Sequence, residues 1–272
     1  MRQRFLLLAL SVLVFSSCNT DIEKNISTDL QVEGREIFDI SLGLEEAYFF
    51  AFQTLDFYRT VLPDSLPSCP KVTINEAERK VTLTFDKSSN CSTGKKLQRN
   101  GKIHLQYINT NALESITRLE YETYEVRKIK LEGRRDFKQI RSLTNPNRRT
   151  EDFEDLLVID EFESSSKISG NYEFQLSFLN GKLAGFESSG NLEGRNITGR
   201  PIVMEPIANK RYLTECINQG IVLPIQGSER WKIFRNATSS TNHSLNYENE
   251  SGCQIKAKVT LFDGRILIFE LN

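Results

Sequence analysis

Residues 71–85, KVTINEAERKVTLTF, show the pattern that decides the fold. Apolar and polar residues alternate in Lys71–Ile74 and again in Val81–Phe85, whereas the NEAER segment between them has the polarity of a loop. Alternation with a period of two predicts strands that bury one face. The same pattern predicts further strands in Lys102–Tyr107, Ile116–Tyr124, Val126–Leu131, Tyr172–Leu179, Gly220–Ile225, Trp231–Phe234, Ile255–Phe262 and Ile266–Leu271.

Turns that contain glycine separate several of these segments. Asn180-Gly181 and Asp263-Gly264 are dipeptides that favour tight hairpin loops, because such loops need residues that tolerate a positive φ. Strands joined by short hairpins pair antiparallel. The sequence therefore predicts a mainly β fold, built as an extended antiparallel β-sheet meander.

One segment has a helical period instead. Its apolar residues recur at intervals of three and four, and Pro63 ends the pattern. We expect one N-terminal amphipathic helix packed on the sheet, although an aromatic-rich face of this kind could instead hold a lipid or a partner. The stripe consists of Leu44, Ala47, Tyr48, Ala51, Phe52, Leu55, Tyr58 and Leu62.

The N-terminus has the pattern of a bacterial lipoprotein signal peptide. Arg2 and Arg4 precede the apolar run Phe5–Phe15, and the small residues Ser16 and Ser17 lie directly before Cys18. The run is too short to span a bilayer, which needs about 20 residues. We expect cleavage before Cys18 and attachment of diacylglycerol to its sulfur; an ordinary secretory signal is the alternative.

Three segments follow from this interpretation. We expect a signal peptide at 1–17, a flexible tether at 18–36 and a β-rich domain at 37–272. Cleavage removes two arginines and leaves 33 basic against 36 acidic side chains. Such a chain lacks the basic surface of a nucleic-acid binder, so no nucleic-acid partner is expected.

The four remaining cysteines, Cys69, Cys91, Cys216 and Cys253, allow three disulfide connectivities. The stretches 66–107 and 213–271 share a pattern, since LTFDKSSNC (83–91) matches LNYENESGC (245–253) in register. Each stretch opens with one cysteine and carries the second further on. If each stretch is a local unit, Cys69 pairs with Cys91 and Cys216 with Cys253. A zinc site with four cysteines is the alternative, but it lacks any Cys-x-x-Cys spacing.

Taken together, these motifs resemble the uncharacterised β-rich lipoproteins of Bacteroidota cell envelopes. The resemblance implies a β-rich fold and an outer-membrane location, on the periplasmic or the surface face, with no activity attached. The chain departs from the expected Cys-Asp-Asn at Cys253, where Gln254 follows. The motifs are Cys18, the aromatic helix, Cys69–Thr73, Asn90-Cys91, Gly101–Ile103, Leu131–Arg135, Gly252-Cys253 and Asp263–Arg265.

The same resemblance implies one modification. Asp64-Ser65-Leu66 has the acid, hydroxyl, apolar order used for O-glycosylation in such envelopes. The motif lies between Pro63 and Pro67, where an extended and exposed backbone is expected. A plain turn serine is the alternative for Ser65.

A search for catalytic residues finds none with the required spacing. His104 alternates with apolar neighbours and is expected to face solvent, and His243 is placed in a loop. No nucleophile elbow, phosphate loop or metal motif is present, so we expect no metal and no cofactor.

A basic stretch followed by an acidic run is interpreted as two solvated, mutually attracting faces. The alternative is a carboxylate site for glycan hydrolysis or calcium. The basic residues are Arg134, Arg135, Lys138, Arg141, Arg148 and Arg149. The acidic residues are Glu151, Asp152, Glu154, Asp155, Asp160, Glu161 and Glu163.

Two functional hypotheses remain. The favoured one is a non-catalytic envelope protein, held to the membrane by its lipid, that binds a protein or a glycan. The alternative is an envelope hydrolase that acts on glycan through carboxylates.

Overall fold

A computed structural model describes residues 20–87, 91 and 97–271, with side chains from Asp29 onward. The predicted signal peptide, Cys18 and Asn90 lie outside the described residues, so the structure does not bear on the lipid anchor. Within the described part of the chain, no helix combines the length and the apolar character needed to cross a membrane.

The prediction of a mainly β, antiparallel fold is confirmed, because the described strands form a single sheet of 14. They are β1 Lys71–Asn75, β2 Lys80–Phe85, β3 Arg99–Asn109, β4 Glu114–Val126, β5 Ile129–Glu132, β6 Arg134–Ile140, β7 Arg148–Ile159, β8 Ser165–Leu179, β9 Lys182–Arg195, β10 Pro201–Leu213, β11 Gln226–Phe234, β12 Ser240–Asn249, β13 Ile255–Thr260 and β14 Ile266–Glu270. Strands are neighbours in chain order throughout, except that β5 and β6 share the space between β4 and β7.

The described helices are α1 Thr20–Glu45, α2 Tyr48–Ala51, α3 Leu55–Thr60 and α4 Thr214–Asn218, with a 3₁₀ turn at Pro63–Ser65. The hairpin prediction for Asn180-Gly181 is confirmed, because both residues have a positive φ in the turn between β8 and β9. Gly264 likewise has a positive φ in the turn between β13 and β14.

The helix α1 lies inside the curl of the sheet rather than on one side of it. Residues 40–53 are all buried, which an amphipathic surface helix cannot be. A Cβ on Gly34 would come within 2.7 Å of Leu261, and a Cβ on Gly43 would come within 3.0 Å of Leu131. Strands from the interior of the sheet and from its C-terminal end therefore pack against the same helix, and they pack closely enough to require glycine at one of these contacts.

The predicted helix and tether are both corrected by α1. The helical stripe at 44–62 is divided between the end of α1, α2 and α3, with Thr54 capping α3 by accepting a hydrogen bond from the Phe57 amide. The expected tether at 18–36 is helical from Thr20, and Leu30, Glu33 and Glu36 are buried. The sequence of this segment suggests solvent exposure because the cations that pair with its acidic residues lie far along the chain.

Several strand predictions also change. The expected strand Val126–Leu131 is split by a turn in which Arg127 has a positive φ. Gly220–Ile225 follows α4 as an irregular segment instead of a strand. The strands β6, β7, β9, β10 and β12 are not among the predicted ones, because their charged, polar and glycine residues interrupt the apolar alternation.

Disulfide bonds join Cys69 to Cys91 and Cys216 to Cys253, which are the predicted pairings, with Cα–Cα distances of 5.6 and 5.3 Å. The two sequence stretches that suggested them are alike only in part. Leu83 and Leu245 are both buried strand residues, but Gly101 lies within β3 whereas Gly264 lies in a turn.

Candidate functional site

The ladder between β9 and β10 is interrupted near the middle of the sheet. Met204 pairs with Leu192, and the next pair is Lys210 with Ser188. Five residues of β10 therefore stand opposite three residues of β9. The bulged segment 205–209 is exposed over its whole length. Such bulges bend a strand and expose unpaired backbone, and they often lie beside binding sites.

A glycine beside this interruption lets the sheet pack tightly. A Cβ on Gly190 would lie 2.4 Å from the carbonyl oxygen of Asn171 and 2.4 Å from the Tyr172 ring. The ring of Tyr172 thus occupies the inner face where a side chain at position 190 would stand. Covering a strand glycine with a cross-strand aromatic ring is a known way of stabilising such positions.

A groove of about 490 Å³ lies in front of this region. We call it the polar groove. Its lining residues come from β7, β8, β9 and the bulge of β10, and nine of the ten carry a side chain. They are Thr150, Glu151, Asp152, Asn171, Tyr172, Glu173, Ser189, Gly190, Asn191 and Pro206.

The polar groove lies on the outer face of the sheet, opposite α1. Glu151 pairs with Tyr172, and Tyr172 with Gly190, forming a row across three strands. Glu151 and Tyr172 are buried, so their side chains face inward. Their neighbours in each strand therefore face outward. The outward set presents hydroxyl, carboxamide and carboxylate groups from Thr150, Asp152, Asn171, Glu173, Ser189 and Asn191.

A layer of buried charge lies on the inner face behind the groove. Arg135 donates to Glu151 at 2.5 Å and to the Leu44 carbonyl at 2.9 Å, and both members of the ion pair are completely buried. The Arg135 guanidinium also lies 5.0 Å from the centre of the Tyr48 ring. Burial raises the pKa of Glu151, and Arg135 opposes that effect.

A second buried cluster surrounds Lys210. Its ammonium donates to Glu229 at 2.5 Å and to Glu45 at 3.0 Å. Tyr247 donates to the same Glu45 oxygen at 2.9 Å, and Trp231 donates to Glu229 at 3.0 Å. Burial nevertheless raises the pKa of Glu45 to about 7.

The two ends of this internal layer are held in the same way. Arg99 donates to Glu46 at 3.0 Å, and Tyr124 donates to the same carboxylate at 2.7 Å. Towards the start of α1, Glu33 accepts from Arg235 at 2.7 Å and from Arg200 at 3.1 Å. Hydrogen bonding to Arg235 and His243 outweighs burial and lowers the pKa of Glu33.

His243 differs from its predicted setting, and His104 lies on the predicted face of its strand but is less exposed than expected. His243 lies within β12 instead of a loop, is buried, and has its Nε2 atom 3.2 Å from Glu33. His104 is partly covered and lies between Thr82 at 2.9 Å and Glu122 at 2.8 Å. Neither acidic partner is close in sequence, which explains why spacing alone did not find them.

The interpretation of the basic and acidic stretches as solvated faces holds only in part. Arg148 pairs with Glu173, and Lys130 with Glu163, on the exposed surface. Arg135 and Glu151, by contrast, form the buried pair behind the polar groove. The alternation of β7, which turns Glu151 inward and Asp152 outward, is the signal that could have separated these two acids.

Two buried polar atoms on the inner face behind the groove lack hydrogen-bond partners among the described residues. They are Oε2 of Glu151 and the hydroxyl oxygen of Tyr172. Buried polar atoms are rarely left without a partner, so each marks a place where a water or ligand group is expected. The described residues contain no group of three or more His, Cys, Asp or Glu arranged to hold a metal.

Ser65 is exposed, as expected, but its backbone is not extended. It ends the 3₁₀ turn Pro63–Ser65, and its hydroxyl donates to the Leu62 carbonyl at 2.7 Å. Glycosylation of Ser65 stays a prediction, which the mass of the native peptide would test.

No family model matches the chain, and neither a curated protein nor a solved structure matches it. A function must therefore be inferred from the chemistry of the groove itself.

Proposed function

We propose that this chain is a lipid-anchored, non-catalytic binding protein of the cell envelope, and that its polar groove holds a short segment of glycan. The observation that carries the proposal is the chemistry of the groove lining. Six outward side chains offer hydroxyl, carboxamide and carboxylate groups on one concave surface. Sugars present many hydroxyls, and groups of these types can both donate to and accept from them.

The size and the setting of the groove support the same ligand class. A volume of about 490 Å³ falls in the range of small-molecule sites, which is roughly 300–1,000 Å³. Positions such as Asn171, Glu173 and Asn191 lie on long strands within one sheet. A site on paired strands is held more rigidly than a site on loops. Little conformational entropy is therefore lost when a ligand binds there.

The non-catalytic part of the proposal rests on the buried charges. Glu45, Glu46 and Glu151 each face a cation in the interior. A general acid or base must reach the substrate within hydrogen-bonding distance. These carboxyls instead join α1 to the sheet, which is a structural role.

The test is binding of oligosaccharides to the purified chain, first on a glycan array and then by calorimetry with the ligand that the array identifies. Asn171→Ala and Asn191→Ala should each weaken binding about tenfold, since one lost hydrogen bond costs about 1–1.5 kcal/mol. Asn242→Ala is the matched control, because Asn242 is exposed on β12, away from the groove. Equal affinity in all three variants would show that the ligand does not bind in the polar groove.

The hydrolase hypothesis has one observation in its favour. Asp152 and Glu173 both face the polar groove, and glycosidases use two carboxyls that flank the scissile bond. Turnover of an array ligand that Asp152→Asn and Glu173→Gln both abolish, with binding retained, would favour the hydrolase over the binding protein.

The anchor has its own test. The mature protein should begin at Cys18 and carry acyl mass, and Cys18→Ser should move the chain from the membrane to the soluble or uncleaved fraction. Intact-mass spectrometry measures both. A mature chain that begins elsewhere, or that lacks acyl mass, would refute lipid attachment and leave the groove proposal standing.

A further inference from the structure

Exposed apolar side chains cluster at one end of the sheet. They lie in or beside the loops that join β3 to β4, β6 to β7 and β8 to β9. Leu143 is fully exposed, and Leu179 exposes 68% of its surface. We call this set the apolar rim. Its members are Leu113, Ile140, Leu143, Phe178 and Leu179.

Hydrogen bonds between the loops show that the rim is one continuous surface. The Arg141 amide donates to the Leu113 carbonyl at 2.7 Å, which joins the first loop to the second. The Asn145 carboxamide donates to Gln175 at 2.9 Å, and the Leu176 amide donates to the Asn147 carbonyl at 3.0 Å. These bonds hold the second loop against the end of β8.

The rim is also locally basic. Residues 138–149 contain four cations and no acid, and Lys182 follows the tip of the β8–β9 hairpin. Lys138 and Arg148 pair with glutamates on neighbouring strands. Among the described residues, Arg141, Arg149 and Lys182 make no ion pair with an acid. The apolar side chains are therefore flanked by positive charge that the fold itself does not neutralise.

We propose that the apolar rim docks on a lipid surface that carries anionic headgroups. Leucine and phenylalanine at loop tips can enter the interface of a bilayer, and cations beside them remain at the level of the phosphates. A second exposed apolar patch on the chain, at Phe262, Ile266 and Ile268, provides the contrast. There, Arg265 is paired with Asp263, so the patch lacks the excess of positive charge that a lipid surface attracts.

The rim lies far from Glu36 of α1, which is near the opposite end of β8. Ser166, near the beginning of β8, donates to Glu36 of α1, and Leu179 ends the same strand. Thirteen residues of strand span about 40 Å at roughly 3.3 Å per residue. If Cys18 carries the lipid proposed above and its membrane lies on the side of Glu36, the rim points away from that membrane, and its lipid partner is a second bilayer. Only this last step rests on the proposed anchor.

The test places an indole at the rim and asks whether it enters the bilayer. The full chain with Leu143→Trp is mixed with vesicles of phosphatidylcholine, with or without phosphatidylglycerol, whose acyl chains are brominated. The emission of the new indole should shift to the blue and be quenched in the anionic vesicles. The native Trp231 is buried and contributes a constant background. Phe262→Trp is the matched control and should be neither shifted nor quenched.

Variants that remove a positive charge distinguish docking on anionic lipid from nonspecific contact through the apolar side chains. In the Leu143→Trp background, Arg141→Gln and Lys182→Gln should each weaken binding to anionic vesicles about fivefold, the effect of one cation near such a surface. Both indole variants keep the same N-terminal segment, so attachment through that segment is common to them.

Equal quenching at positions 143 and 262, or binding that is indifferent to phosphatidylglycerol, would overturn the proposal. If the indole at position 143 is unquenched and ultracentrifugation shows a dimer, the proposal is also overturned. The rim is then assigned to contact with a second copy of the chain. Binding of the rim to these vesicles does not require an acylated cysteine. The absence of lipid on Cys18 and the absence of rim docking therefore give different experimental results.

Discussion

Gly190 shows how a single missing side chain shapes the candidate site. Its Cα stands against the Asn171 carbonyl and the Tyr172 ring, both within 2.4 Å of where a Cβ would lie. The carbonyl belongs to the ladder and cannot move away without breaking pairing between β8 and β9. The close approach therefore fixes the glycine, and with it the curvature of the sheet behind the polar groove.

We expect Gly190→Ala to lower the free energy of unfolding by about 1–3 kcal/mol, because an added methyl in a packed site forces the backbone to shift. Urea unfolding of the variant and of the parent chain measures the difference. Ser189→Ala is the control on the adjacent position. An unchanged midpoint for Gly190→Ala would mean that the sheet is looser here than the structure shows.

Glu36 makes a specific prediction about pH. Burial raises its pKa to about 7 from an ordinary value of 4.5, although the Ser166 hydroxyl and the Ile197 amide both donate to it. The folded state thus keeps a proton that the unfolded state releases. Its contribution to stability is complete below about pH 4.5 and is lost as the pH rises to about 7.

The cost of ionising this carboxyl is roughly 3 kcal/mol, at about 1.4 kcal/mol for each pH unit. Glu36→Gln keeps an acceptor for both donors and cannot ionise, so it should flatten this part of the stability profile and stabilise the protein at pH 8. Unfolding curves across that range provide the measurement. Glu193→Gln, on an exposed strand position, is the control. A parallel profile for Glu36→Gln would contradict the assignment.

At the scale of elements, α1 is where sequence reasoning failed most clearly. A polar N-terminal segment normally predicts a tether, and the acids within 18–36, among them Asp29, Glu33 and Glu36, support that prediction. The cations that pair with acids of α1 lie in or directly beside strands more than 160 residues away, and they include Arg200, Lys210 and Arg235. Local periodicity cannot detect a helix whose polar face is neutralised by distant cations.

The prediction that the aromatic stripe belongs to the core is confirmed except at Leu62, which is exposed, but the stripe is divided among three helices instead of forming one. Tyr48 and Phe52 pack edge-on against Phe174 at 4.8 and 4.9 Å. Turn residues separate α1 from α2, and Thr54 has an extended backbone that bends the chain before it caps α3. A period of three and four residues survives such a bend, so the pattern alone could not locate it.

The disulfides make a prediction for two separate parts of the sheet. They close segments of 22 and 37 residues, for which the chain-entropy model gives roughly 3–4 kcal/mol each. Cys69→Ser with Cys91→Ser, and Cys216→Ser with Cys253→Ser, should each lower the free energy of unfolding by about this amount. Urea unfolding checks the stability, and peptide mapping without reductant checks the pairing. A peptide that joins Cys69 to Cys216 would contradict both the structure and the repeat in the sequence.

At the scale of the whole molecule, the sheet and its antiparallel order could be predicted, and its closure around α1 could not. Alternation within 71–85 or 102–107 depends only on neighbouring residues, so it can be detected in the sequence. The curl depends on close packing such as that of Phe38 on Phe269, with ring centres 4.3 Å apart, between residues at opposite ends of the chain. The polar groove was missed for a related reason, since it is formed by a bulge in a strand that the alternation did not show.

This enclosure predicts how the fold opens. Because α1 packs against β5 and β7 as well as against β12–β14, it cannot leave without separating β12–β14 from the rest of its core. We expect the amides of residues 36–45 to exchange with solvent only on global unfolding, together with those at the centre of β8 and β9. Amides in the β8–β9 hairpin tip should exchange much sooner. Exchange of α1 ahead of the central strands, measured by mass spectrometry, would show that the helix docks and undocks independently.

Glu33 also has a consequence for the order in which the protein is made. Its partners Arg200, Arg235 and His243 follow it by 167, 202 and 210 residues. During synthesis, α1 is made first and the strands that enclose it are made last. The segment that forms α1 therefore has no strands to pack against for most of synthesis. During that time its carboxylates face water and keep an otherwise apolar segment hydrated. The acids that fix α1 in the finished protein thus also protect it from early association with other chains.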